Sequence, residues 1–390
     1  MTTSPWAYSW PSTEASEAAD STIRGWPSGI EMLVLSTGYA LYGVDHSGIT
    51  WSQEMQTRPG ASADPTIESQ EMVLFDGVAV SSNQQFVAYV DHGAEIVVRS
   101  IRDGAEVGRV SYHAEGGTQL RCLSSDGDFV ALASVPPDLP EGTTGDRLPW
   151  RVTIVDMRSG QATTEQPLED LVKERTADDP EIQFTLYSLD WLPGTKLLVH
   201  YAGWKSETYR YDPVTGAMES IPGMDWVISV SDGGTVHGSG TVNGSATEPQ
   251  GVEPLVWDGT TTQTLELAPA PAYALGGAFN SLGDALAIEV MSPRHEPRGW
   301  QVFRLNQGRW EPSGPLAENS WMKAAPRALS DDGAVAFAAL EGGLLWESGQ
   351  HTALLSYDFR TGVWQEWLGP EDLLVDFGEY PFVAIIPNGG

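Results

Sequence analysis

The stretch LRCLSSDGDFVALAS, residues 120–134, decides the fold: an alternating segment, a Ser-Asp-Gly turn and a run of small apolar residues. After one loop comes RVTIVDMRSG, residues 151–160, which ends in a second turn of the form Asp-x-x-Ser-Gly. Period-two alternation bounded by Gly, Asp and Ser reads as short antiparallel strands joined by tight hairpins. The unit recurs. First turns begin at Ser82, Ser125, Leu192, Ser231, Ser281 and Asp331, 39–50 residues apart except for one interval of 67. That interval holds a loop at 135–149 and a helical run at 167–175, predicted as one or two turns within a longer connection. Second turns of full length fall at 156–160, 212–216 and 358–362.

Four short strands per repeat of this length predict a β-propeller, because a lone blade leaves both sheet faces bare and neighbours arranged in a ring cover them. Strands are also expected at 31–36, 39–45 and 49–55, with a C-terminal pair at 373–377 and 382–386. Pairing the two chain ends makes one closing blade and removes exposed sheet edges. The expectation is therefore an all-β fold: a single propeller over residues 30–390 with seven four-stranded blades, six and eight being the alternatives. Residues 1–29, rich in Ser, Pro, Thr and Ala, read as a flexible tail whose Trp6, Trp10 and Trp26 could clip it to the domain or to a partner.

The turn pairs resemble those of WD40-like, TolB-type bacterial propellers. The matching stretches are Ser125-Asp126-Gly127, Ser231-Asp232-Gly233 and Asp331-Asp332-Gly333, with the three Asp-x-x-Ser/Thr-Gly turns, and the likeness covers most of residues 76–368. The Gly-His…Trp-Asp pattern of eukaryotic repeats is missing apart from Trp257-Asp258. The resemblance implies a propeller with a habit of binding proteins or small ligands, and it brings no catalytic residue.

Charge narrows the partners. The 390 residues carry 53 Asp+Glu against 21 Lys+Arg, a formal net charge of −32 at pH 7. Such a field repels phosphate backbones and disfavours anionic membranes, so nucleic acid is not an expected partner, whereas a basic protein or peptide is. No run of 18 apolar residues and no signal-peptide pattern occurs, so the chain as written reads as cytoplasmic, or as exported if a leader has been trimmed. One cysteine, Cys122, excludes an intramolecular disulfide and a multi-cysteine metal cage, and its alternating surroundings predict a small buried residue.

Catalytic signatures are absent: there is no Gly-x-Ser-x-Gly, His-Glu-x-x-His or phosphate loop, and no catalytic residue, metal site or cofactor is assigned. His200 and His237 fall on second strands of adjacent blades and could approach each other near the channel. Asp45-His46-Ser47-Gly48-Ile49-Thr50-Trp51 approaches the sialidase Asp-box with one residue too many, and residues 358–367 approach a tryptophan-docking motif; both read as turns first.

Loop length separates the two rims. First-to-second and third-to-fourth turns are short, whereas second-to-third connections are long at 136–150, 243–253, 292–299 and 342–352. The helical connection near 165–181 emerges on the same rim. Long loops on a rigid scaffold concentrate binding residues, which makes Arg147, Trp150, Trp204, Arg294, His295, Trp346 and His351 the candidate binding set. The leading expectation is a non-catalytic binding or scaffold propeller holding a protein or peptide there. The alternatives are a carbohydrate- or small-molecule-active enzyme with its site in the central funnel, and a structural subunit of a larger assembly docked by its tail.

Overall fold

The computed structural model of the chain describes residues 26, 28–36, 40–55, 74–75, 78–91, 95–112, 118–134, 150–176, 184–203, 206–241, 252–267, 272–292, 296–318, 324–340, 353–367 and 382–388. They form seven antiparallel sheets, each with four strands in series, arranged as a seven-bladed propeller. From the channel outward, blade 1 is Val78–Val80, Phe86–Asp91, Glu95–Ser100 and Glu106–Ser111. Blades 2 to 6 repeat the order, starting with the innermost strands Thr118–Leu123, Phe184–Leu192, Trp226–Val230, Tyr273–Phe279 and Ala328–Leu329. Two sheets carry a fifth strand: Leu74–Phe75 runs parallel to the start of blade 2's innermost strand, and Ala317–Glu318 pairs with the third strand of blade 5.

Blade 7 closes the ring with an uneven division. The C-terminal strand Phe382–Pro387 is innermost and pairs antiparallel with Ile30–Ser36, which is followed by Ala40–Asp45 and Gly48–Glu54. One C-terminal strand plus three N-terminal ones fills the blade, so seven is the count; the other expected strand, at 373–377, lies outside the described residues. Of the tail, Trp26 packs against the cluster between blades 6 and 7 and donates its Nε1–H to the Ile30 carbonyl at 2.8 Å. Trp6 and Trp10 lie outside the described residues.

The turns hold because side chains satisfy the backbone groups that a tight hairpin leaves without ladder partners. In the third-to-fourth turn of blade 2, Asp156 Oδ1 accepts from the Arg158 and Ser159 N–H groups at 2.8 and 3.1 Å, and Gly160 adopts φ +72°. Asp212 and Asp358 repeat the arrangement in blades 3 and 6. In the first turns a buried residue at the strand end acts as a staple. The Ser124 hydroxyl donates to Asp126 at 2.6 Å and accepts from Phe129 N–H at 2.9 Å; Ser330 does the same to Asp332 and Val335. Asn280 takes this place in blade 5.

Between blades, alanine-rich second strands let the sheets approach, and aromatics fill the wedge that widens outward. Ala285 and Ala287 of blade 5 meet Ala336 and Ala338 of blade 6, and further out Trp300 and Trp364 lie 4.8 Å apart. Trp364 is the aromatic of the docking-like stretch, so that stretch packs one blade on the next. The Asp-box-like stretch is a hairpin turn of the same kind. Its Trp51 reaches over Gly43 and Gly104, where a Cβ would lie 2.0 and 2.6 Å from the indole, and donates to the Ile101 carbonyl of blade 1 at 2.6 Å.

The helix is longer than the one or two turns expected, at eleven residues, Gln166–Thr176. Pro167 suits the first turn, where no N–H bond is needed. Leu168 and Leu171 bury between blades 2 and 3, and this packing extends the helix beyond what its composition supports.

Candidate functional site

The innermost strands line a central channel, and most of them break step at one point. Where each pairs with its second strand, a bulge leaves a residue unopposed: Arg121 in blade 2, Tyr187 in blade 3, Ile228 in blade 4, residues 275–276 in blade 5 and Val383 in blade 7. A bulge re-aims the side chain it carries. Ile228, Gly276 and Val383 line the channel, and Tyr187 is 54% exposed although its neighbours Leu186 and Leu189 are buried.

Innermost strands begin at the rim of the second-to-third connections. At that end Tyr187 stands edge-on to Trp226 of blade 4, with ring centroids 5.0 Å apart at 88°. Trp226 keeps 36% of its surface exposed. Behind them lies His200, fully buried, 5.6 Å from the Tyr187 ring and 5.3 Å from Trp226. Its Nδ1 pairs with Thr208 Oγ1 at 3.0 Å, and its Nε2 has no partner. Burial pulls its pKa down to about 4 against the opposing charge of Asp225, so the imidazole is neutral at pH 7.

His237 occupies the same ladder step in blade 4, opposite Ser229 as His200 is opposite Ser188. It abuts Gly277 of blade 5, while His200 abuts Trp226 of blade 4, so each sits against the innermost strand of the following blade. Both ring nitrogens of His237 are unpartnered and burial lowers its pKa to about 3. No group of three His, Cys, Asp or Glu suited to a metal occurs among the described residues. Cys122 is buried as expected, and burial raises its thiol pKa well above the ordinary range.

Of the residues expected from sequence, Trp150 is half-buried against the blade 2–3 cluster, with the Arg121 guanidinium 5.4 Å from its ring centroid. Arg147, Trp204, Arg294, His295, Trp346 and His351 lie outside the described residues. Tyr187 and Trp226 were missed by the sequence reading. The available signal was the slip in alternation at Leu186-Tyr187-Ser188-Leu189, where buried positions fall three apart instead of two.

The opposite end of the channel differs. First turns of blades 1, 4, 5 and 6 surround a cavity of about 700 Å³. There Ser82 of blade 1 hydrogen bonds Asp232 of blade 4, and Ser281 of blade 5 donates to Asp331 of blade 6. Desolvation, with the like charge of Asp331, raises the Asp232 pKa to about 6.

The topology defines a closed seven-bladed propeller with a bulge-lined channel. No family model matches the chain, and no curated protein matches it. Among solved structures it is similar to a prolyl endopeptidase, at 13% identity over 87% of this chain and 50% of that one, TM-score 0.48. It is also similar to the tricorn protease, at 13% identity over 86% of this chain and 34% of that one, TM-score 0.44. A third similar structure is the β-propeller domain of Myceliophteria thermophila Cps50 (Swd1), at 12% identity over 90% of this chain and all of that one, TM-score 0.41. The chain thus spans about a third of the tricorn chain and half of the prolyl endopeptidase.

Proposed function

We propose that this protein is a non-catalytic binding propeller of the WD40-like, TolB-type bacterial kind, which holds a protein or peptide partner on the rim of the long connections. The observation that supports it most is the Tyr187–Trp226 pair, two large aromatics left exposed at the channel mouth on that rim. Aromatic side chains with a polar handle are favoured anchors in protein interfaces because they bury area at little entropic cost. This reading assigns Arg147, Trp150, Trp204, Arg294, His295, Trp346 and His351, the set expected from the sequence, to the same contact surface. The net charge of −32 favours a basic partner and fast encounter at low salt.

The test is affinity capture with three baits: the native chain, Tyr187→Ala/Trp226→Ala/Trp346→Ala, and Val214→Ser, which alters an exposed side chain of a third-to-fourth turn on the other rim. Proteins held by the native chain and by Val214→Ser but lost from the triple variant support the reading. Equal capture by all three baits removes it.

The exposed aromatic faces also favour a second reading, a carbohydrate- or small-molecule-active propeller working in the funnel at this mouth. A glycan panel read by thermal shift separates the two, because a ligand that binds only the native state raises the melting temperature.

A further inference from the structure

Tyr187 and Trp226 stand on the innermost strands of neighbouring blades, and their rings meet at 88° with centroids 5.0 Å apart. Two ring planes at a right angle make a corner with a flat apolar wall on each side. The buried His200 ring, 5.6 Å from Tyr187 and 5.3 Å from Trp226, fills the inner side. The corner therefore opens to solvent, where the two aromatics keep 54% and 36% of their surface.

Its polar edges are unused. Neither the Tyr187 hydroxyl nor the Trp226 Nε1–H has a hydrogen-bond partner among the described residues. An indole N–H donates only, and a phenol hydroxyl donates or accepts. The corner thus suits a compact apolar group that carries hydrogen-bond acceptors beside it. An ordinary extended peptide fits this poorly, because each residue brings an N–H that loses water against an aromatic wall and finds no acceptor on the indole.

Proline brings a carbonyl without an N–H, and its ring is itself a compact apolar face. A run of prolines is already held in the polyproline II helix, so binding costs little further ordering, which is why aromatic-lined grooves select such segments. The chain's net charge of −32 adds a preference for basic residues beside the prolines.

We propose that the Tyr187–Trp226 corner binds a proline-rich segment flanked by Lys or Arg, with a proline ring packed in the corner and a neighbouring carbonyl accepting from the Trp226 Nε1–H. The inference rests on the reading of this rim as a partner surface and names the kind of segment that the partner presents.

The test is fluorescence anisotropy with the full chain titrated into two labelled peptides. One has a run of prolines between two arginine pairs, and in the other the prolines are replaced by alternating glycine and serine. The proline peptide binds about tenfold tighter or more. Trp226→Phe keeps an aromatic wall and removes the N–H; it weakens the proline peptide by about three- to tenfold, the equivalent of one neutral hydrogen bond, and leaves the glycine-serine peptide unchanged. Tyr187→Ala removes one wall and brings the two peptides to within about twofold of each other. Thermal melts confirm that both variants are folded. Equal affinity of the two peptides for the native chain would assign the binding to arginines on an acidic surface and overturn the proposal. So would no binding of the proline peptide up to about 1 mM, or an unchanged preference in the folded variants. Partner capture is read separately: capture lost from Tyr187→Ala/Trp226→Ala/Trp346→Ala without any proline preference removes this inference and leaves the rim as a partner surface.

Discussion

The two ends of the channel are made from the same seven innermost strands and are chemically opposite. At the long-connection end a bulge turns Tyr187 outward, and the exposed surface is aromatic, with a neutral imidazole behind it. At the short-turn end, serines, an asparagine and carboxylates tie neighbouring and facing blades together around a cavity lined by both polar and apolar side chains. The reason lies in the repeat. First turns must satisfy backbone groups within a few residues, which favours Ser, Asp, Asn and Gly there, although blade 3 uses Leu192-Pro193-Gly194-Thr195. At the other end the innermost strands start without such a turn, and there a bulge sets the exposed side chain.

The largest expected effect breaks the aromatic end by its backbone. At Gly238, on the second strand of blade 4, a Cβ would lie 2.1 Å from the Trp226 carbonyl oxygen and 3.0 Å from Met224. Backbone cannot yield as a flexible side chain does, so Gly238→Ala is expected to lower stability by about 3 kcal/mol or more in urea unfolding. At the short-turn end, a Cβ at Gly283, where φ is +70°, meets only the Ser231 side chain, Oγ at 3.1 Å and Cβ at 3.2 Å, and Gly283→Ala is expected to cost about 1 kcal/mol. Equal losses would show that the two ends share one packing constraint.

The next effect is acid sensitivity, with opposite signs at the two ends. The His200 pKa falls to about 4 in the folded chain, so the stability it confers is complete above its ordinary value of about 6.5 and is lost as pH falls toward 4. By pH 5 the loss is about 2 kcal/mol, and His200→Gln is expected to remove that part of the acid slope. Asp232 is raised to about 6, so its charged form costs stability at pH 7 and the cost disappears as pH falls through 6 toward 4. Discounted for water in the cavity, Asp232→Asn gains about 1 kcal/mol at pH 7 and nothing at pH 4. A gain that persists at pH 4 would mean that packing, not charge, distinguishes the variant.

Much of this was legible in the sequence, and the illegible part has a definite cause. Asp156, Asp212 and Asp358 announce their turns because the side chain that defines the motif also makes the hydrogen bonds. Blade count and closure follow from the spacing, although the division of the closing blade into one C-terminal and three N-terminal strands does not. Many tryptophans resolved into packing: Trp51, Trp257, Trp300 and Trp310 fill the space within or between blades. The channel was harder to read, because its lining depends on which strands bulge. At Leu120-Arg121-Cys122-Leu123 and at Leu186-Tyr187-Ser188-Leu189 the buried positions slip out of alternation, and only the partner strand fixes which residue is expelled.

The smallest expected effect tests that last point directly. Tyr187 contacts Trp226 and His200 through ring edges, and an aromatic pair contributes about 0.5–1.5 kcal/mol beyond burial. More than half of the ring faces solvent. Tyr187→Ala is therefore expected to lower stability by less than about 1 kcal/mol, whereas Trp191→Ala on the same strand, 4% exposed in the blade 2–3 core, is expected to lose about 3–5 kcal/mol. Chemical denaturation of the two variants side by side is the measurement. A loss at Tyr187 that approaches the loss at Trp191 would make the bulged tyrosine a packing residue, and the channel mouth would then have no surplus aromatic surface to offer a partner.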